Sequence, residues 1–157
     1  MGSEMCIRDS PGTEPVPQIV SFGAAAESAD AWLMERGYEA MEARREDFES
    51  WLAKNIPDAA VIGKGLPRLP NTTMLMVPRM ETEPLLALLD MAGVACSSGS
   101  ACASGAHEPS HVLAAMGRTD KRTAVIRISA SRFTEPAEYE QLKEALLGAV
   151  KQLRKKK

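Results

Sequence analysis

Of the three cysteines Cys6, Cys96 and Cys102, Cys102 has the setting in which a thiol could act. It lies in Ser97-Ser98-Gly99-Ser100-Ala101-Cys102-Ala103-Ser104-Gly105-Ala106, where every side chain is small. Such a run has nothing with which to anchor itself in a core, so it reads as a pliable surface loop. A thiolate is a strong nucleophile, and a lone thiol on a pliable loop is open to chemistry. On composition alone, a flexible linker with an incidental cysteine competes with that reading. Cys96 ends a short apolar run, where a free cysteine is commonly buried and inert. His107 and His111 flank a helix start; histidine can shuttle protons, but surface or capping positions are favoured for both. Three cysteines without metal-ligand spacing suit a reducing compartment, not a disulfide framework.

The elements that must position this loop follow from periodicity and turn residues. A helix is expected after Pro17, through the Ala-rich stretch to about Arg36, with Gly37 as a break. A second, from Tyr38 to Lys54, has Tyr38, Met41, Phe48 and Leu52 on one face and Glu and Arg on the other. Ala59–Ile62 and Asn71–Val77 read as strands, the latter apolar on both faces. Gly63-Lys64-Gly65 between them lacks Walker spacing and reads as a turn. Thr82 is placed as the N-cap of a helix to Met91, closed by Gly93. Val94–Cys96 is read as a short strand, and a short helix opens at Pro109 and ends at Gly117. Ala124–Ser129 is a strand with Ile126 and Ile128 on one face and Val125 and Arg127 on the other. Thr134 is expected to cap a last helix whose stripe is Tyr139, Leu142, Leu146, Ala149 and Leu153. The order implies a small α/β (α+β) layer, helices flanking a mixed sheet.

The string SSGSACASGAHEPSHVLAAMG resembles the signature of cysteine desulfurases, in the class V aminotransferase family, specifically the group with the long catalytic loop. Arg68-Leu69-Pro70-Asn71-Thr72 resembles the start of a family strand, and Ala124 to Ser129 with Arg132-Phe133-Thr134 its final strand and turn. Gly12-Thr13-Glu14-Pro15-Val16-Pro17 resembles the segment after the family's Arg-rich turn. The resemblance thus runs from Pro11 onward. It implies the C-terminal domain of a fold-type I pyridoxal-phosphate-dependent transferase. Cys102 then matches the cysteine that takes sulfur from L-cysteine as a persulfide, releasing alanine. Through that persulfide it is also the candidate transient ligand of an iron–sulfur cluster. Arg127 matches the arginine that holds the substrate carboxylate, a contact suited to a planar guanidinium. Thr13 matches a threonine that reaches the cofactor phosphate of the other subunit in a homodimer. The expected partners are L-cysteine and an iron–sulfur scaffold or another sulfur acceptor protein, and the expected location is cytoplasmic.

Two departures bound that expectation. Met1–Ser10 has no helical or strand period, and MGSEMCIRDS resembles the translation of a transposon-end sequencing adapter, so it is set apart from the fold. Residues 11–36 then read as a remnant of the large cofactor domain with its linking helix, and 37–157 as the small C-terminal domain. The family's Schiff-base lysine lies upstream of these motifs, and no lysine in the sequence has its setting. The intact parent is therefore expected to use pyridoxal 5′-phosphate, and this chain alone to be inactive. Selenocysteine lyase and a plain class V aminotransferase remain as alternatives, as does a stand-alone sulfur-carrier or binding module. A formal charge of −2 gives no indication of a nucleic-acid or membrane partner.

Overall fold

The computed structural model describes residues 14–98, 111–118 and 122–155. The chain divides into two compact units, Met1–Gly37 and Tyr38–Lys157.

The first unit holds α1, Val16–Met34. Pro17 falls in its first turn, where a missing N–H costs nothing. None of its residues is buried. Its apolar side chains are spread around the helix rather than gathered in a stripe, and Ile19, Val20 and Phe22 are exposed, Phe22 by 77%. Arg36 takes a left-handed conformation (φ 58°) to end the helix. Gly37 then lies under Trp32: a Cβ there would sit 2.1 Å from the indole nitrogen, so no larger residue fits.

In the second unit, α2 (Gly37–Asn55) leads to β1 (Ala60–Val61), β2 (Thr72–Pro78), α3 (Thr82–Met91), α4 (His111–Ala115), β3 (Thr123–Ser129) and α5 (Pro136–Lys155). The turn after β1 uses Gly63 and Gly65 at φ 73° and 84°, a conformation glycine adopts at little cost. The strands form one sheet, ordered β1-β2-β3. Ala60 pairs with Met76, and β2 pairs with β3 from Thr72↔Ser129 to Pro78↔Thr123. Both pairings are antiparallel, where the sequence order suggested a mixed sheet. Leu75 and Val77 of β2, with Ala124 and Ile126 of β3, meet Phe48 and Leu52 of α2, Leu85 and Leu89 of α3, and Leu142, Leu146 and Val150 of α5. The helices thus contribute to one core with one face of the sheet. Phe48 stacks on Trp51 and meets Tyr139 edge-on, at centroid distances of 6.2 and 6.3 Å.

Three local readings change. Val94–Cys96 is not a strand: after Gly93 closes α3, the chain makes one isolated bridge, Ser97↔Arg127. Thr82 does not cap α3, because its hydroxyl accepts the Val125 N–H (3.1 Å), a donor at the outer edge of β3. Thr134 is used in the turn before α5, accepting the Ser131 N–H (3.0 Å), while Glu138 reaches back to the Glu135 N–H (2.6 Å) to close the helix start. The charged face of α2 is not uniformly solvated. Arg45 and Glu49 are 6% and 4% exposed. Glu49 accepts both Nη groups of Arg68 at 2.9 Å and the Thr73 hydroxyl at 3.0 Å. Arg45 donates to the Leu69 carbonyl and to Glu42, each at 2.8 Å. This network fastens the segment that precedes β2 to α2.

Candidate functional site

Arg127 is placed by the alternation of β3. Ala124 and Ile126 turn into the core, so Val125 and Arg127 take the opposite face. Directly opposed residues of an antiparallel pair share a face. Met74, opposite Arg127, and Met76, opposite Val125, therefore flank the arginine stem with apolar surface. On its other side Arg127 pairs with Ser97: its N–H donates to the Ser97 carbonyl (2.7 Å), and the Ser97 N–H donates to its carbonyl (3.2 Å). The start of the Cys102 segment is thereby held beside Arg127.

The guanidinium on this face is held differently from the partnered cations elsewhere in the unit. Arg44 donates to the Thr134 carbonyl at 2.9 Å, and Arg45 and Arg68 belong to the Glu49 network. Arg132 lies 4.9 Å over the Phe133 ring. Lys143 bonds Asp47 and Glu140 at 2.8 and 2.7 Å, and Arg154 forks onto Asp58 at 2.8 Å. Arg127 is partly buried, yet among the described residues no side chain pairs with its guanidinium. A sheltered guanidinium with its donors uncommitted is suited to a carboxylate supplied from outside.

The same alternation separates two neighbours in sequence. Ser97 shares the face of Arg127, and its Oγ is buried without a hydrogen-bond partner among the described residues. Cys96 packs against the core instead, and lines a cavity of about 260 Å³ with Val94, Ile128, Tyr139 and Leu142. Burial pushes the Cys96 thiol up, away from the thiolate. Cys96 is thus poorly suited to nucleophilic work. Cys102, Thr13 and His107 lie outside the described residues, as does the His111 side chain. Of the expected pliable loop, only its first residues, Ser97 and Ser98, fall among the described residues.

Pyridoxal phosphate needs an amine that is sheltered and can become neutral. Lys54, Lys64, Lys151 and Lys155 are exposed. Lys143 is buried, but the hydrogen bonds it donates to Asp47 and Glu140 outweigh burial and raise its pKa, keeping it charged. The described residues do not fit the cofactor. Among them there is also no cluster of His, Cys, Asp or Glu that could hold a metal ion. The sequence reading missed Ser97 and the Glu49 network. For Ser97 the parity against Cys96 was the available signal; for Glu49 and Arg68, far apart in sequence, there was none.

Comparison with known proteins adds the family. The model of the aminotransferase class-V family matches residues 7–142. A cysteine desulfurase of Cereibacter sphaeroides is 42% identical over 144 residues, which cover 91% of this chain and 36% of the relative. One from Enterobacter agglomerans is 40% identical over the same length. A NifS-like protein from Rickettsia africae ESF-5, solved by X-ray, superposes with a TM-score of 0.74 at 29% identity, over 89% of this chain and 36% of that one. The chain spans about a third of the length of the relatives it matches. The family model spans most of the chain, and the curated relatives and the solved structure agree with it: the chain belongs to the class-V aminotransferase family.

Proposed function

We propose that the chain is the C-terminal part of a cysteine desulfurase, with 1–10 foreign to it, 11–36 from the large domain and 37–157 the small domain. Arg127 holds the carboxylate of L-cysteine, and the Cys102 thiolate attacks the substrate sulfur. The new S–S bond forms as the substrate C–S bond breaks; its electron pair stays on carbon, which takes a proton, and alanine leaves. Cysteine plus the Cys102 thiol thus give alanine plus a Cys102 persulfide, without external oxidant or reductant. The observation that carries this reading is the partly buried Arg127, its guanidinium uncommitted among the described residues, beside the start of the Cys102 segment.

The parent would use pyridoxal phosphate held by a lysine outside this chain, with Thr13 reaching the phosphate across a homodimer, so the chain alone is inactive. The persulfide passes to an iron–sulfur scaffold or another acceptor protein, in the cytoplasm. Among the described residues no helix is long and apolar enough to cross a membrane.

The test joins this chain in frame to the N-terminal two thirds of the Cereibacter sphaeroides relative. Alanine release and persulfide mass are then measured. The joined enzyme should release alanine and carry one extra sulfur on Cys102. Cys102→Ala should abolish both while cofactor absorbance remains. Transamination that persists in Cys102→Ala, with no persulfide in the wild type, would put the aminotransferase alternative first. A persulfide on Cys96 would refute the choice of nucleophile.

A further inference from the structure

β3 has β2 on one side, and on the other it is supported at Val125 and at Arg127. The Val125 N–H is taken by the Thr82 hydroxyl, and the Arg127 N–H by the Ser97 carbonyl. An unpaired strand edge leaves donors and acceptors open, so Ser97 is what closes the edge at Arg127. Ser97 comes from an anchored segment. The Val94 N–H is tied back to the Leu89 carbonyl (2.9 Å), and Gln141 of α5 donates to the Ala92 carbonyl (2.9 Å). Among the described residues the Ser97 hydroxyl does none of this holding: it is buried without a partner there, and the bonds to Arg127 are made by the main chain.

We propose that Ser97 is a positioning residue. Its two main-chain bonds hold the Arg127 backbone, and with it the guanidinium, on the open face of the sheet, and set where the Cys102 segment begins. The consequence for catalysis rests on the desulfurase reading; the placement of Arg127 does not.

Two substitutions separate main chain from side chain. Ser97→Pro removes the N–H that donates to Arg127. Ser97→Ala keeps both bonds and removes only the unpartnered hydroxyl. In the isotope-labelled 157-residue chain, the wild-type Arg127 and Ser97 amides should exchange at least about tenfold more slowly than in a free chain. The Arg127 Nε–H resonance should shift or broaden in Ser97→Pro and keep its position in Ser97→Ala, with the Leu75 and Leu146 amides unchanged in both. In the joined enzyme, Ser97→Pro should raise KM for cysteine about tenfold with kcat within about twofold, and Ser97→Ala should restore the wild-type KM. An Arg127 amide that exchanges at the free-chain rate in the wild type overturns the proposal, and does so even if Ser97→Pro fails to fold. Identical Arg127 signals in folded Ser97→Pro and wild type overturn it too, as does a loss confined to kcat. If the joined wild type releases no alanine while Arg127 is protected and its Nε–H moves only in Ser97→Pro, the desulfurase reading fails and the positioning by Ser97 stands.

Discussion

Replacing Glu49 by alanine tests whether the ion network between α2 and the segment before β2 supports the fold. The Glu49 side chain is 5% exposed, and those of Arg68 and Arg45 are 16% and 7% exposed. Glu49→Ala leaves Arg68 without its counter-ion and the Thr73 hydroxyl without its acceptor. Arg45 is less affected: Glu42 and the Leu69 carbonyl remain, and Glu49 is 3.9 Å from its Nε. One orphaned cation therefore dominates. Breaking a buried pair costs about 3–5 kcal/mol, and the slight exposure of Arg68 argues for the low end, about 3 kcal/mol. With a urea slope of roughly 1–3 kcal/mol per molar, the unfolding midpoint should fall by about 1–3 M. Circular dichroism would follow it. The double variant Glu49→Ala/Arg68→Ala should lose less than the sum of the single variants, because no lone charge is left behind. A Glu49→Ala change within about 0.5 kcal/mol of wild type, the range of ordinary surface substitutions, would refute the account.

Leu146 is fully buried in the core, so Leu146→Ala should cost about 2–5 kcal/mol in a thermal or urea melt, while Leu66→Ala on the exposed turn should be nearly neutral. Asp58 gives a pH signature. Burial opposes its ionisation, but hydrogen bonds from Arg154 and Arg79 prevail and hold its pKa below 3.8. A depressed carboxyl contributes stability above its unfolded value, and that stability is lost as pH falls through the folded value. The stability gap between wild type and Asp58→Asn should therefore close below about pH 4 and stay open above it, as read from urea titrations. In a variant lacking Cys6 and Cys102, Cys96 should react with iodoacetamide at least about tenfold more slowly than free cysteine, since burial raises its pKa and limits access. Rapid alkylation in the folded state would contradict its place against the core.

The sequence was most legible where period and punctuation agree. The run from Met74 to Val77, the Ile126/Arg127 alternation and the stripe through Leu142 and Leu146 needed only local spacing, and each helix found had been expected within a few residues. The Thr82 hydroxyl was misread because a cap is a local assignment, whereas an open donor at a strand edge is made by tertiary pairing; Thr134 instead closes its own turn on the Ser131 N–H. Thr82 bonds a residue 43 positions away. The pairing of Glu49 with Arg68 left no mark in the sequence for the same reason: each is ordinary by itself, and their contact exists only once α2 and the segment before β2 are brought together. Arg127 was singled out through resemblance; that it is the partly buried cation left unpartnered among the described residues was visible only in three dimensions.

The bareness of α1 bears on how long the 157-residue chain, expressed by itself, would survive in a cell. Every side chain of the buried core cluster lies between Phe48 and Val150, and no residue of α1 is buried. Its exposed Val20, Phe22, Leu33 and Met34 are the kind of surface that chaperones and degradative proteases select. Turnover would then be governed by recognition of α1 in the folded chain, without waiting for the core to open. A stabilising substitution in the core would raise the melting temperature and leave the cellular half-life unchanged, whereas polar replacements at Val20 and Phe22 would lengthen the half-life at constant melting temperature.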